Sequence, residues 1–219
     1  MCRRYAKRGD WALFAAMLLL AACGSTPPAP EKAPAKQEAA ADPNALTAPV
    51  EQPLPPEAVQ KFDQAVSLMS GGDAATAERE LRALADAYPT YSGPLLNLAI
   101  LQAKAGRFED AEKSLRTAVD RNGSNAPAFN QLGIVYRKLG RFKEADVAYQ
   151  RAVEIDPNYA LAYLNLGVLC DLYLQQPERA LEAYERYLSL AGAPDEKVNG
   201  WVTELKKRLG SEPRAARAQ

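Results

Sequence analysis

Residues of matching kind recur every 34 positions through most of this chain. Gln64, Leu98, Leu132 and Leu166 fall 34 apart, as do Ala77, Ala111 and Ala145, and Gly72, Gly106 and Gly140 keep the same interval. A period of about 20 to 50 residues means one supersecondary unit copied in tandem, because such a unit cannot bury its apolar face alone and must stack on its neighbours. The unit is clearest from Ala126 to Tyr159. Phe129, Leu132, Gly133 and Tyr136 stand at i, i+3, i+4 and i+7, and Ala145, Tyr149, Ala152 and Pro157 follow. That spacing predicts two short amphipathic helices and a stop, since proline cannot continue a helix. Gly133, Ala145 and Ala152 let the paired helices approach closely, while the aromatics and Leu132 fill the space beside them.

This copy sets the register of the others. Residues 92–125 repeat it with Leu95, Leu98, Ala99, Ala111, Leu115 and Ala118, and residues 57–91 more weakly with Ala65, Ala77, Leu81, Leu84 and Pro89. A fourth copy, 160–193, carries Tyr163, Leu166, Gly167 and Cys170, but Ala180 comes 35 after Ala145, so the turn from Tyr173 to Pro177 holds one inserted residue. The glycines at 72, 106 and 140 fall where a helix C-terminus favours positive φ. Residues 194–209 carry an apolar stripe of Val198, Trp201, Val202, Leu205 and Leu209, which suits a capping helix. Residues 210–219 have no pattern and are expected to be disordered.

The N-terminus has a different purpose. Arg3, Arg4, Lys7 and Arg8 precede an unbroken apolar run from Trp11 to Ala22, a secretory signal too short to span a bilayer. Leu20-Ala21-Ala22-Cys23 resembles the bacterial lipobox, which implies a signal peptide over 1–22 and acylation of Cys23. Two or three acyl chains hold a protein at a membrane almost permanently. Gly24, in place of Asp, implies outer-membrane sorting in that family. From there to Pro56 the chain is rich in Pro, Ala, Glu, Lys and Gln with no apolar period, the composition of a disordered tether. At about 3.1 Å per residue, fully extended, it would reach roughly 100 Å.

Composition removes several function classes. There is no histidine, so the commonest general base and the commonest metal ligand are both missing. The first 23 residues hold four of the 27 basic residues and one of the 27 acidic ones, leaving the remainder net −3. A nucleic-acid partner is therefore not expected. Cys170 falls on the core stripe in the place of Tyr136, the position of a buried thiol and not of a nucleophile. No residue nominates itself as catalytic, and no cofactor or metal is expected.

The repeated pattern over about 57–192 resembles the tetratricopeptide repeat. That resemblance implies an all-α fold, a right-handed α-solenoid of about four helix pairs with a C-terminal capping helix. It also implies that function sits on the concave surface lined by the first helix of each pair. Carried onto this sequence, the partner-binding residues are Phe62, Val66, Leu96, Asn97, Ile100, Lys104, Asn130, Ile134, Arg137, Lys138, Leu164, Asn165 and Val168. Most are apolar, which suits a groove for a protein or peptide ligand. Asn97 and Asn165, with Asn130 nearby, are of the kind that bonds a ligand backbone in peptide-binding members. The pattern that clamps a terminal carboxylate is missing, because Phe62 and Val66 stand where Lys and Asn would be needed. Together these features resemble lipid-anchored repeat proteins of the periplasm that assist pilus and secretin assembly. A scaffold for cell-wall hydrolases or for an energy-transducing envelope complex, and a self-associating homodimer, are the alternatives.

Overall fold

The structure is a computed structural model describing residues 54–211. The expected signal peptide, Cys23, the tether up to residue 53 and the tail from residue 212 lie outside the described residues.

Nine α-helices and no strand occupy the described residues: α1 Pro56–Gly71, α2 Ala74–Ala87, α3 Gly93–Lys104, α4 Phe108–Arg121, α5 Ala126–Lys138, α6 Phe142–Ile155, α7 Ala160–Leu172, α8 Pro177–Leu190 and α9 Glu196–Ser211. Turns of two to four residues fold the first eight into four hairpins. Two ends differ from the sequence reading. Pro56, placed in the tether, is the first residue of α1, and α9 continues through Gly210 and Ser211, which were expected in the tail. Proline suits the first helical turn, where its missing N–H would have no partner in any case.

The turns follow from local chemistry. Gly72, Gly106 and Gly140 have φ of 89°, 76° and 75°, and the next residue in each case donates its N–H five residues back, to Leu68, Gln102 and Tyr136. This is the Schellman closure of a helix C-terminus. The fourth hairpin keeps the shape with the wrong residue. Gln175 stands 35 after Gly140 and adopts φ 53°, and the Gln176 N–H reaches six residues back to Cys170, which absorbs the inserted residue.

Packing within each hairpin depends on missing side-chain atoms. A Cβ added to Gly133 would lie 2.5 Å from the Tyr149 ring, and one at Gly167 would lie 2.5 Å from the Tyr184 ring. Tyr149 and Tyr184 are fully buried in the gaps that these glycines leave, with Ala111, Ala145 and Ala180 buried on the facing helices. Burying such a side chain contributes about 1.5 to 3 kcal/mol.

Adjacent hairpins are keyed by polar contacts at the repeat interval. Glu78, Glu112 and Asp146 stand 34 apart and meet Arg107 at 2.5 Å, Arg141 at 2.7 Å and Arg179 at 2.8 Å in the next hairpin. Arg107 holds the Glu78 carboxyl below the ordinary carboxylate range against the opposing effect of its partial burial. Gln176 stands at the place of Arg107 and Arg141 once the inserted residue is counted, and Arg179, three residues later, takes over the pairing.

Helix α9 closes the stack. Val198, Val202 and Leu205 are buried, Trp201 lies 5.3 Å from the Tyr184 ring, and Arg208 and Lys206 pair with Asp171 and Glu185 of the fourth hairpin. Asp195 starts the helix by accepting from the Val198 N–H and from the Tyr187 hydroxyl.

Candidate partner-binding surface

Curvature decides which face can hold a ligand. Each first helix packs on the next, α1 on α3, α3 on α5 and α5 on α7, whereas successive second helices keep their backbones apart and meet through long side chains, such as Arg121 on the Ala85 carbonyl and Arg179 on Asp146. The second helices are therefore splayed apart on the outside of the bend, and α1, α3, α5 and α7 form the inner, concave row. The chemistry of the two rows differs as well. Helices α3, α5 and α7 carry only Lys104, Arg137, Lys138 and Asp171 as charged residues. The second helices carry 13 acidic and nine basic residues, the composition of a solvated outer face.

The row brings the expected residues together, in different states. Phe62, Leu96, Ile134, Leu164 and Val168 are half-buried and packed against the core, and Val66 and Ile100 are also half-buried. The Phe62 ring lies close to Gly93 at the start of α3, so it also joins the first two hairpins. Lys104 and Lys138 are exposed. The most accessible apolar side chains on the row are on α7, where Leu161 and Leu172 are 53% and 66% exposed. Apart from Asn165 and Asp171, helix α7 carries apolar residues and Tyr163 around its circumference, and a helix of that kind needs cover on more than one face.

Asn130 needs correction. It is 2% exposed and cannot line a groove. Its amide donates to the Tyr159 hydroxyl at 3.3 Å, and its oxygen accepts from Asn165 at 2.9 Å, so these two amides join α5 to α7. Asn97 donates to the Gly93 carbonyl of its own helix. A buried amide must find partners within the protein, and here the next repeat supplies them.

Arg137 is half-buried between two aromatic residues. Its guanidinium lies 5.8 Å from the centre of the Tyr173 ring, which itself packs on Phe142 at 4.7 Å. Burial alone would lower its pKa, but the neighbouring phenol oxygens of Tyr149 and Tyr173 raise it on balance. No regular hydrogen bond forms there: the Tyr149 hydroxyl and Arg137 Nε are both covered and without a hydrogen-bond partner. Tyr173 was missed in the sequence because it lies in the irregular turn of the fourth copy.

A second apolar recess lies off the concave row. It encloses about 500 Å³ between α5 and α6 and is lined by Phe129, Leu132, Tyr136, Val147 and Ala148. Val147 is 69% exposed, and Lys113 stands 34 residues before it where it has no apolar counterpart. Comparing the copies position by position would have found it.

Cys170 is fully buried, and desolvation pushes its thiol up to about 11, so it is neutral and inert near pH 7. No grouping of metal-ligating side chains occurs among the described residues.

Comparison with known proteins agrees with this architecture. Family models described as tetratricopeptide repeat match residues 68–132 and 160–194, and one described as TPR repeat matches 133–170. No curated protein matches the sequence. Among solved structures, MamA is similar with a TM-score of 0.59 and 26% identity, covering 67% of this chain and 84% of that one. The pilF protein of Pseudomonas aeruginosa gives a TM-score of 0.62 at 21% identity, with 69% of each chain covered. The first repeat domain of Spaghetti, solved with an HSP90 peptide, gives 0.51 at 23% identity over 55% of this chain and 96% of that one.

Proposed function

Because this is a tetratricopeptide-repeat protein, we propose that it is a non-catalytic adaptor whose concave row of first helices holds a protein or peptide partner. The observation that carries this reading is the exposed apolar surface of Leu161 and Leu172 on α7, a helix of the inner row. An apolar patch on a concave wall is what a peptide-binding groove requires. The Spaghetti domain with its HSP90 peptide shows that a fold of this kind can take a peptide. The lipobox at Leu20 to Cys23 and the proline-rich segment behind it support the rest of the proposal. The mature chain is acylated at Cys23 and held at the outer membrane, and the repeat domain reaches into the periplasm to assist assembly of pilus or secretin machinery.

Two experiments test the two parts separately. Leu161→Glu with Leu172→Glu leaves the thermal melt unchanged, because both side chains are exposed, and abolishes co-purification of the partner from envelope extracts. Unchanged co-purification rejects the groove. Cys23→Ser yields an unacylated protein lost from the outer-membrane fraction, and its retention there rejects the anchor.

A further inference from the structure

Ten of the eleven arginines among residues 54–211 bond a carboxylate, a hydroxyl or a backbone carbonyl: Arg79, Arg82, Arg107, Arg116, Arg121, Arg141, Arg151, Arg179, Arg186 and Arg208. Arg137 is the exception. It is half-buried on the concave row beside the phenol oxygens of Tyr149 and Tyr173, and it has no carboxylate partner among the described residues. A guanidinium removed from water without a counter-charge is costly, and a protein that leaves one so placed gains from an anion arriving at it. Two further facts agree. The Tyr149 hydroxyl is fully buried and unbonded beside it, a donor with no acceptor. On α3, α5 and α7 the charge is one-sided, with Lys104, Arg137 and Lys138 against Asp171 alone, which Arg208 already neutralises, while α1 adds the Glu57–Lys61 pair and Asp63. Cations in the last turn of a helix also balance its partial negative charge, which accounts for Lys104 and Lys138 without a ligand. It does not account for a half-buried arginine set among phenols.

We propose that Arg137 is the docking point for a side-chain carboxylate of an acidic peptide partner, whose apolar side chains lie along Leu164, Val168 and Leu172 of α7. This rests on the groove reading above and deepens it by naming the ligand chemistry. Planar guanidinium suits a carboxylate bidentately, and the exposed face of Tyr173 beside it offers a lid that an arriving side chain can pack on. Lys138 and Lys104 then favour further acidic residues along the peptide and speed its approach at low salt.

The probe is a display library of random peptides, selected against the full-length protein. Each enriched peptide is then resynthesised with its Asp and Glu replaced by Asn and Gln, and both forms are titrated by fluorescence anisotropy. The expected result is that the acidic form binds about tenfold more tightly, the size of one charge-assisted hydrogen-bonded contact. Arg137→Gln removes that difference, Arg137→Lys restores part of it, and Lys143→Gln on the outer face leaves it intact. If Arg137→Gln does not fold, the Arg137→Lys titration and a Lys104→Gln, Lys138→Gln variant decide, each predicted to narrow the gap. Apolar peptides that bind the Leu172 face with no preference for acid overturn this inference and leave the groove standing. A selection that enriches nothing overturns both. Self-association that the peptides cannot displace, and that Leu172→Glu abolishes, assigns the face to a second copy and also overturns the inference.

Discussion

The close packing of Tyr149 over Gly133 gives the sharpest stability prediction. A methyl group added at Gly133 meets three ring atoms of Tyr149 at 2.5, 2.6 and 2.9 Å. Carbon atoms in good contact sit about 3.5 to 4.0 Å apart, so the ring must withdraw by about 1 Å. It has nowhere to go, because Tyr149 is fully buried. Overpacking of this kind costs about 1 to 3 kcal/mol. Helix propensity acts the other way, since alanine is favoured over glycine by about 1 kcal/mol in a helix interior. Gly200 in α9 supplies the control, because a Cβ there meets nothing within 4 Å. Gly200→Ala is therefore expected to stabilise by about 0.5 to 1 kcal/mol, the propensity gain alone. The difference between the two substitutions isolates the clash, and should be about 1 to 3 kcal/mol in urea unfolding followed by circular dichroism. Gly167→Ala, against Tyr184, should behave like Gly133→Ala, and Gly133→Leu should be worse. If Gly133→Ala stabilises as much as Gly200→Ala, the hairpin packing described here is wrong.

Three further outcomes follow from the same structure. Gln175→Gly should stabilise by about 0.5 kcal/mol, the relief of a left-handed backbone less the extra freedom glycine has when unfolded; a loss of stability in the same unfolding assay would contradict the strained turn. With no histidine, the melting temperature should be flat from about pH 5.5 to 8.5. On the acid side, Glu78 and Asp195 have lowered pKa values, from Arg107 and from the Val198 N–H respectively, so their contribution is complete above the unfolded values of 4.5 and 3.8 and is lost as pH falls through the folded ones. On the alkaline side Cys170, raised by burial from 9.0 to about 11, favours the fold below pH 9 and loses that contribution as pH rises through 11. A step in melting temperature between pH 6 and 8 would refute this. Finally, Cys170 should be unreactive to a thiol reagent in the folded protein and react on unfolding; rapid native labelling would contradict its burial.

Most of the fold was legible because a stacked array states its register several times over. Gly133 and Tyr149 are intelligible as a pair once the period is known, and Gly72, Gly106 and Gly140 mark the turns directly. The fourth copy was harder because it departs from the rule: one inserted residue leaves Gln175 in a glycine's conformation, Arg179 takes the ion-pair role that Arg141 has one repeat earlier, and Tyr173 stands against Arg137. The surface was less legible than the core. Whether a residue on the inner row is exposed depends on what the next helix brings against it. Asn130 is buried because Tyr159 and Asn165 reach it, and nothing in its own segment says so. Leu161 and Leu172 stay exposed because no side chain of the neighbouring helices covers them, and the apolar circumference of α7 was the signal for that.

The account's central claim is that the concave row, and not the outer helices or the recess beside Val147, holds the partner. Photo-crosslinking in living cells tests it most directly, with the reactive residue placed singly at Leu161 or Leu172 on the inner row and at Val147 or Arg116 on the outside. The account predicts a common adduct from Leu161 and Leu172 and none from Val147 or Arg116. Adducts from Val147 or Arg116, with Leu161 and Leu172 silent, would contradict it.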